Sequence, residues 1–174
     1  LGRMQGTQAV AGVNITGDLD GVQVAAGLNL ARHVYGAQIA AGLNVATDLR
    51  GLQVGVLNFA GASSGVQVGI LNFALGDSAD AEAFGLFSFV RNGYNHLEIW
   101  SSDTSIANIG LKFGGKHMYT VLMMGVSTVT SEPTEFGLGW GGHLQLSDRF
   151  YVDVDGIAGS RLTDNNPERI ADLV

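Results

Sequence analysis

The chain has 174 residues, of which 46% are hydrophobic and only 14% are charged, and its formal net charge is -7 with a pI of about 4.8. Such an acidic chain lacks the basic face that a nucleic-acid partner requires, so nucleic-acid binding is excluded from the expected functions. The chain has no cysteine, which excludes disulfides and thiolate chemistry, and no run approaches the roughly 18 apolar residues of a membrane-spanning helix.

A short unit is repeated along the first half of the chain. Each unit opens with Gly-x-Gln and has an Asn after the Gln, and successive glutamines are 15 or 14 residues apart. A period of this length indicates one small supersecondary unit repeated, and such repeats build scaffolds and surfaces more often than active sites. The repeated residues are Gln8, Gln23, Gln38, Gln53 and Gln67, and Asn14, Asn29, Asn44, Asn58 and Asn72. A degenerate sixth copy spans 84–89, with Ser88 in the place of the Asn.

Within each unit, apolar residues alternate with polar or small ones at the period of a β-strand. In the second unit, Val22, Val24 and Leu28 fall on one face, whereas Gln23 and Asn29 fall on the other. Gly, Asp and Ser between these stretches predict tight turns. An apolar residue recurs in the turns, and we expect it to lie beneath the corner; it is Leu19, Val34 or Leu49 in successive units.

The fourth and fifth units have one residue fewer between the Gln and the Asn. In a continuous strand, this deletion would turn every later side chain to the opposite face. We therefore expect a bend or bulge between the Gln and the Asn.

Two architectures agree with the repeat. In a β-solenoid each unit forms one coil, so Gln would stack on Gln and Asn on Asn as side-chain amide ladders. In an up-and-down barrel each unit forms one strand and one turn, with Val and Leu facing lipid and Gln, Asn, Gly and Ala facing inward. Neighbouring strands of such a meander run in opposite directions, so identical residues would not lie side by side. This difference favours the solenoid for residues 6–75.

Alternation continues where the repeat fades. Large apolar residues alternate with Gly, His and Gln over 136–146 and with Tyr and Asp over 150–155, and 107–113 and 118–126 are further strand candidates. Short turns at 114–116 and 146–149, and a longer loop at 127–134 with Pro133, indicate hairpins. An apolar face opposite a small or polar face is typical of outer-membrane barrels. A soluble sandwich or capping sheet with one wet face shows the same pattern.

The end of the chain reads differently from these strands. Residues 161–174 predict a loop and a short helix that begins at Asn166-Pro167. Because no closing strand follows, we expect a chain truncated at its C-terminus.

Three segments resemble a family of bacterial surface-repeat proteins whose short repeats have the forms GVQIGLxN and GLQISGxxN. They are GLQVGVLNFA at 51–60, GVQVGILNFA at 65–74 and AFGLFSFVRNGYNHLEIW at 83–100. The strands of 106–158 are similar to the C-terminal β-rich part of that family. The resemblance implies an exported protein at the outer membrane or surface of Gram-negative bacteria. It implies no catalytic, cofactor-binding or metal-binding residues.

The residues that bear chemistry are few. His96 and Glu98 would share one face of a strand as part of a metal site, but the small number of further ligands favours a solvated polar face. Asp153 and Asp155 also share a face. Paired carboxylates perform acid–base chemistry, yet inward acidic residues of a sheet or pore explain them better. The glycines of 137–142 alternate as a strand and precede no helix, which does not favour a phosphate-binding loop.

We therefore predict an all-β protein with a solenoid-like β-repeat region at 1–90 and an antiparallel up-and-down meander of outer-membrane-barrel type at 91–174. We expect a non-enzymatic structural or interaction protein of the bacterial outer membrane or cell surface, with no cofactor and no metal. The membrane and other protein subunits are its candidate partners, and the sequence identifies no ligand. The alternative is an outer-membrane pore or transport barrel in which Gln23, Asn29, Asp153 and Asp155 line a polar lumen.

Overall fold

A computed structural model describes residues 1–78, 80–102, 105–127 and 133–161. These residues form β-strands joined by turns, which confirms the all-β prediction. Within the described ranges, no helix is long and apolar enough to cross a membrane.

The repeat region folds into one sheet that coils on itself. Its strands are β1 (Met4–Val10), β2 (Val13–Ile15), β3 (Asp18–Ala25), β4 (Leu28–Ala40), β5 (Leu43–Leu49), β6 (Leu52–Ser63), β7 (Val66–Ala74) and β8 (Glu82–Val90). The strand order is β1-β3-β4-β5-β6-β7-β8, with β2 on β4, and every pairing is parallel. Parallel stacking of successive units confirms the solenoid and is incompatible with an up-and-down meander in this region.

The register places identical residues of successive coils next to each other. Gln23 pairs with Gln38 and Asn29 with Asn44, and the sixth copy continues the Asn row, because Asn72 pairs with Ser88. A third inward row contains the apolar turn residues. As predicted, these side chains are buried beneath the corner, where they pack with alanines of the neighbouring row; the cluster is Leu19, Ala31, Val34, Ala46, Leu49 and Ala60.

The shorter units keep both amides inside the coil. In the longer units a bend at 11–12, 26–27 or 41–42 separates the Gln strand from the Asn strand. In the shorter units β6 and β7 continue around this corner, and the paired register passes from Gly55 and Gly69 directly to Leu57 and Leu71. The shorter units therefore lack one residue at the corner between Gln and Asn, which confirms the predicted bend there.

The coil is narrow, and apart from the Leu19, Val34 and Leu49 row most of its large apolar side chains point outward. The rest of the interior is filled by Gln, Asn, Ala and Ser, whereas Val24, Ile39, Phe59 and Ile70 are exposed on the outer faces. A half-buried strand of a soluble protein has the opposite arrangement. Hydrogen bonds between buried amides therefore hold the interior together to a degree that is unusual for a protein core.

The second sheet is an antiparallel meander. Its strands are β9 (Asn95–Trp100), β10 (Ser105–Gly114), β11 (Met118–Ser127), β12 (Pro133–Ser147) and β13 (Phe150–Arg161), in the order β13-β12-β11-β10-β9. Its register places the charged residues and the histidines of the strands on one face, which we call the polar face. The opposite, apolar face presents Ile99, Leu111, Leu122, Leu144 and Val154.

One end of the solenoid is covered by the meander. The Thr120 hydroxyl and the Trp140 indole N–H both donate to the carbonyl oxygen of Gly85 on β8, at 3.1 and 2.6 Å. The Phe87 and Phe113 rings lie 4.5 Å apart at the same contact. Part of the apolar face near the 114–118 turn is therefore occupied by the last coil.

Two predicted segments fall partly or wholly outside the described residues. Of the predicted loop at 127–134, Ser127 is the last residue of β11 and Pro133 is the first residue of β12, and residues 128–132 lie outside the described residues. The predicted loop and helix at 161–174 lie outside the described residues beyond Arg161.

Candidate functional site

The asparagine row forms a continuous ladder of side-chain hydrogen bonds. Each Nδ2 donates to the Oδ1 of the next asparagine toward the C-terminus, at 2.8 to 2.9 Å from Asn14 to Asn72, and Asn72 donates to the Ser88 hydroxyl at 3.1 Å. Each Nδ2 also donates to a backbone carbonyl of the following coil, as Asn44 does to Val54 at 2.8 Å. Of the two ends of an asparagine amide, only the NH2 can donate to a carbonyl oxygen, so this second bond fixes the orientation of every amide.

The glutamine row forms a second ladder of opposite direction. Each Nε2 donates to the Oε1 of the preceding glutamine, from Gln67 back to Gln8, over 2.8 to 3.2 Å. The row ends at the last coil because Ala83 occupies the glutamine position there. The Oε1 of Gln67 is consequently buried without a hydrogen-bond partner.

The ladders are structural, and their amides line no open channel. Gln23 and Asn29 are fully buried in the closed coil, and their polar atoms are used in the ladders. This corrects the prediction that they line one lumen with Asp153 and Asp155, which lie on the separate meander sheet. The sequence pattern identified the polar side of the strands, but a coil closes that side upon itself.

The polar face of the meander holds a group of charged and aromatic side chains around a buried lysine. We call it the Lys112 cluster; it contains Tyr94, Glu98, Lys112, Tyr119, His143, Asp153 and Asp155. The Lys112 side chain is only 3% exposed, and its ammonium lies 2.8 Å from Asp155, 2.9 Å from Glu98 and 3.5 Å from Asp153. Burial of this charge is tolerated because three carboxylates surround it.

Two tyrosine hydroxyls and a histidine ring make further hydrogen bonds to Asp153 and Asp155. The Tyr119 hydroxyl donates to Asp155 at 2.6 Å, and the Tyr94 hydroxyl donates to Asp153 at 2.7 Å. Nδ1 of His143 lies 2.7 Å from the other oxygen of Asp153. The Tyr94 ring stacks on Tyr119 at 4.8 Å, which packs the two phenols against each other. Register explains the convergence, because the glycines opposite these residues leave room for the large rings.

The environment holds Lys112, Tyr119 and Asp153 in their ordinary charge states. Desolvation lowers the pKa of Lys112, but hydrogen bonds to Asp155 and Glu98 outweigh it and raise that pKa above the usual lysine value. Burial and the hydrogen bond to Asp155 raise the pKa of Tyr119. Burial opposes ionisation of Asp153, yet hydrogen bonds from Tyr94 and His143 keep the pKa of that carboxyl below its usual value. Acid–base catalysis requires pKa values near neutrality, and these shifts lead away from it.

The predicted site residues of the meander are brought together only in part. Asp153 and Asp155 share the polar face, as predicted, and both contact Lys112. His96 and Glu98 also share that face. Glu98 is paired with Lys112, however, and the His96 ring stacks on Tyr94 at 4.1 Å. Among the described residues, no group of three or more His, Asp or Glu side chains is arranged to hold a metal ion.

The other histidines bridge structural elements. His33 lies between two neighbouring coils, with Nδ1 2.8 Å from Asp18 and Nε2 3.2 Å from Asp48. The hydrogen bond from His33 keeps the pKa of Asp18 below its usual value. His117 contacts Glu82 across the junction between the solenoid and the meander.

Sequence reasoning missed the central role of Lys112 and of the two tyrosines. Alternation over 107–113 puts Lys112 on the side of its strand opposite Ile109 and Leu111, and the register agrees with that assignment. The sequence does hold two signals for this cluster. A single lysine between large apolar neighbours on a strand indicates that its side chain is buried, and two acidic residues at alternate positions of another strand indicate an ion-pair partner for that lysine. Which strands approach each other is set by the hairpin register, which the sequence does not reveal.

Comparison of the chain with protein-family models, with curated proteins and with solved structures gave no match. The resemblance to bacterial surface-repeat proteins therefore stays a prediction, and the description of this chain rests on its own fold.

Proposed function

We propose that this protein is a non-enzymatic structural or interaction protein of the bacterial outer membrane or cell surface. In this proposal the solenoid is a stiff scaffold, and the meander anchors it by presenting its apolar face to lipid. The observation that supports anchoring is the chemical difference between the two faces of the meander.

The apolar face exposes large side chains along every strand. Ile99 is 74% exposed, Val154 64%, Leu144 57% and Leu111 50%. Among the described strand residues, no charged side chain lies on this face, whereas the Lys112 cluster lies on the other. Walls of outer-membrane proteins have this apolar-out, polar-in alternation.

Strand length supports the same proposal. β10 and β11 have 10 residues each, β13 has 12 and β12 has 15. A tilted strand needs about 9 to 11 residues to cross the hydrocarbon core of a bilayer. Each of these four strands is long enough.

The chemistry of the polar face supports a non-enzymatic role. Every ionisable group with a displaced pKa in the Lys112 cluster is held in the charge state that it has in water at neutral pH. None of these four groups, Tyr94, Lys112, Tyr119 and Asp153, is prepared to exchange a proton near neutrality. Its charges neutralise and position one another, which fits the inner side of a wall.

Extraction from membranes tests the anchoring. The chain is expressed with an export signal, and membranes are washed with high salt and with urea before detergent is added. We expect release only by detergent, and a band that shifts on heating as folded β-sheet proteins of the outer membrane do. Release of folded, β-rich protein by the washes alone would contradict lipid contact.

A pair of arginine variants locates the lipid contact. Leu111→Arg places a charge well inside β10, whereas Leu146→Arg places it one residue before the end of β12. If the face contacts lipid, Leu111→Arg should lower the free energy of unfolding in detergent or bilayers by about 2 to 4 kcal/mol and Leu146→Arg by about 0 to 1. A sheet surrounded by water would tolerate both substitutions equally.

The Lys112 cluster favours a second candidate, an outer-membrane pore or transport barrel. Charged side chains on an inner wall control the selectivity of such channels. Within the described part of the chain, β9 and β13 each have one edge without a partner strand, so a closed pore needs further strands. Conductance steps in planar bilayers, with ion selectivity altered by Glu98→Gln, would favour the pore over a purely structural anchor.

A further inference from the structure

The solenoid has two outer sides that carry only hydrocarbon. One is formed by the glutamine strands and the other by the asparagine strands, and the second to fifth units contribute residues 22–31, 37–46, 52–60 and 66–74. The only polar side chains in these segments are the Gln and Asn of the ladders, and all of them are buried. The outward side chains can therefore neither donate nor accept a hydrogen bond. We call the outward sides of these segments the apolar walls.

The charged residues of the solenoid are confined to its third side. The Asp, Glu, Arg and His residues of 4–90 lie at 18–20, 32–33, 48–50 and 77–82. Register stacks the first three of these segments, because Asp18 pairs with His33 and His33 pairs with Asp48. We call this side the charged edge. The coil is therefore amphipathic around its axis, with charge on one side and hydrocarbon on the other two.

The apolar walls are exposed, and they continue around the corner between them. Ile39 on the glutamine side is 39% exposed, and Phe59 on the asparagine side is 36% exposed. At the corner itself, Val56 is 47% exposed and Ile70 is 49% exposed. The hydrocarbon therefore covers two adjacent sides of the coil and is not one flat patch. A contiguous exposed apolar surface marks an interaction site.

Fluid hydrocarbon matches this surface better than a second folded protein does. Protein interfaces carry about one hydrogen bond per 100 to 200 Å² and a polar rim. The outward side chains of the apolar walls form no hydrogen bonds, and the walls face in two directions around a convex corner. Lipid chains need no hydrogen bonds and adapt to a convex surface. The partner chemistry that fits the apolar walls is therefore that of a lipid layer.

The meander places the solenoid beside its own apolar face. A Cβ on Gly85 would lie 2.1 Å from the Gly69 carbonyl oxygen of the preceding coil, so the Gly85 carbonyl is the atom that a further coil would meet. Thr120 and Trp140 bind that carbonyl from the apolar face of the meander, and the Phe84 ring stacks on Trp140 at 6.2 Å. The coils therefore stack outward from the face that the proposed function turns toward lipid.

The backbone of the apolar walls also suits hydrocarbon. A lipid layer accepts only backbone whose N–H and C=O groups are paired. The strands β3 to β7 pair in parallel with neighbouring coils on both sides, so their hydrogen bonds run along the solenoid axis. The apolar walls therefore present side chains to their surroundings and keep their backbone bonds between coils.

We propose that the apolar walls of the solenoid lie in the hydrocarbon at the surface of one leaflet, with the charged edge in water. This inference rests on the proposed function, because it assigns a second lipid-contacting surface to the same protein. The solenoid lies along the membrane at the level of the 114–118 turn, where the meander contacts its last coil. Its walls reach the depth of amphipathic elements at such a surface, about 5 to 10 Å into the boundary between headgroups and acyl chains.

Site-directed spin labelling tests this placement, because the chain has no cysteine of its own. Ile39→Cys and Tyr35→Cys are matched variants, since both residues lie on β4 and are 39% and 48% exposed, but only Ile39 lies on an apolar wall. Ile70→Cys and Ser64→Cys repeat the comparison on a later coil. Leu144→Cys reports on the apolar face of the meander. Each labelled chain is refolded into dimyristoylphosphatidylcholine vesicles, and circular dichroism must match that of the parent.

Collisions of the label with two reagents give its position. Oxygen concentrates in hydrocarbon, whereas a nickel chelate stays in water. We expect the labels at positions 39 and 70 to collide mainly with oxygen, at a depth of about 5 to 10 Å. The labels at positions 35 and 64 should collide mainly with the chelate. The label at position 144 should collide mainly with oxygen, because the proposed function places it in lipid.

The label on the meander separates failure of this inference from failure of the proposed function. If position 144 is in lipid but positions 39 and 70 are as open to the chelate as positions 35 and 64, only the present inference is overturned. If all these positions are open to the chelate, the proposed function is overturned as well. Shielding of positions 39 and 70 from both reagents also overturns the inference. Spin–spin broadening that disappears on dilution with unlabelled chain would then identify a second copy as the occupant.

Discussion

Replacement of one asparagine in the middle of the ladder tests whether the amide rows hold the solenoid together. Asn44 accepts from Asn29 at 2.9 Å and donates to Val54 and to Asn58 at 2.8 and 2.9 Å. Asn44→Ala removes all three bonds. It also leaves Oδ1 of Asn58 without its donor in a fully buried position.

The expected loss follows from these contacts. A typical intramolecular hydrogen bond contributes about 1 kcal/mol, so the three bonds together contribute about 3 kcal/mol. The orphaned oxygen of Asn58 adds about 1 kcal/mol or more. Asn44→Ala should therefore lower the free energy of unfolding by about 4 kcal/mol, which is a large part of the stability of a typical domain.

Guanidinium unfolding of the whole chain, followed by circular dichroism, measures this loss. Thr47→Ala, an exposed position on the same coil, is the control and should stay within about 0.5 kcal/mol of the parent. A loss below about 1 kcal/mol for Asn44→Ala would refute the role of the ladder. Asn44→Asp keeps the shape but removes the donor, so it should be more damaging than alanine at pH 7. Burial raises the pKa of the new carboxyl. The additional loss in free energy of unfolding of Asn44→Asp relative to Asn44→Ala should therefore become smaller as the pH falls toward 4.

Three further predictions concern the glycines at which successive coils approach closely and the Lys112 cluster. Gly36 has a positive φ of 147°, and a Cβ added there would lie 2.0 Å from the Gly21 carbonyl oxygen. Gly36→Ala should therefore lower the free energy of unfolding, measured by thermal or chemical denaturation, by about 2 to 6 kcal/mol. Gly6→Ala has only the backbone strain and should lower it by about 1 to 3 kcal/mol. Equal losses for both would show that the close approach between coils is unimportant. Lys112→Met leaves three carboxylates facing one another and should lower the free energy of unfolding by about 2 to 3 kcal/mol at pH 7, which is less than for fully buried pairs because those carboxylates are partly exposed. The difference in free energy of unfolding between variant and parent should become smaller as acid protonates the carboxylates. A difference that does not change with pH would contradict an electrostatic cause. In the parent, the pKa of Asp153 is lower in the folded state than its unfolded value of about 3.9. The stabilisation that the ionised carboxylate provides is therefore present above that pH and is lost as the pH falls through the folded pKa. Asp153→Asn should make the free energy of unfolding depend less on pH in this acid range, and an unchanged dependence would show that other groups cause it.

The architecture of the repeat region could be predicted from the sequence because every unit has Gln and Asn at equivalent positions. The recurrence of Gln and Asn distinguishes a parallel stack from a meander, since only the stack places Gln23 beside Gln38 and Asn29 beside Asn44. The deletion in the later units even located the corner, because a strand tolerates a lost residue only where it bends.

The chemistry of the meander could not be predicted in the same way. Alternation assigned Asp153 and Asp155 to one face, but it gave no distance between strands that are remote in sequence. Lys112 on β10 and Asp155 on β13 come within 2.8 Å because three successive antiparallel pairings, through β11 and β12, fix the register. A sequence pattern determines which side of a strand a residue occupies, whereas the partner on the next strand depends on turn geometry.

The opposite directions of the two amide ladders determine the electrostatics of the solenoid. An α-helix aligns its peptide dipoles of about 3.5 D, and fractional charge accumulates at both ends. Here the asparagine amides point one way along the axis and the glutamine amides point the other way. Their dipoles cancel coil by coil, and the sheet backbone itself adds only a small net dipole. A coil can therefore be added to or removed from such a stack without changing the electric field at its ends, so electrostatics sets no limit on how long the scaffold can grow.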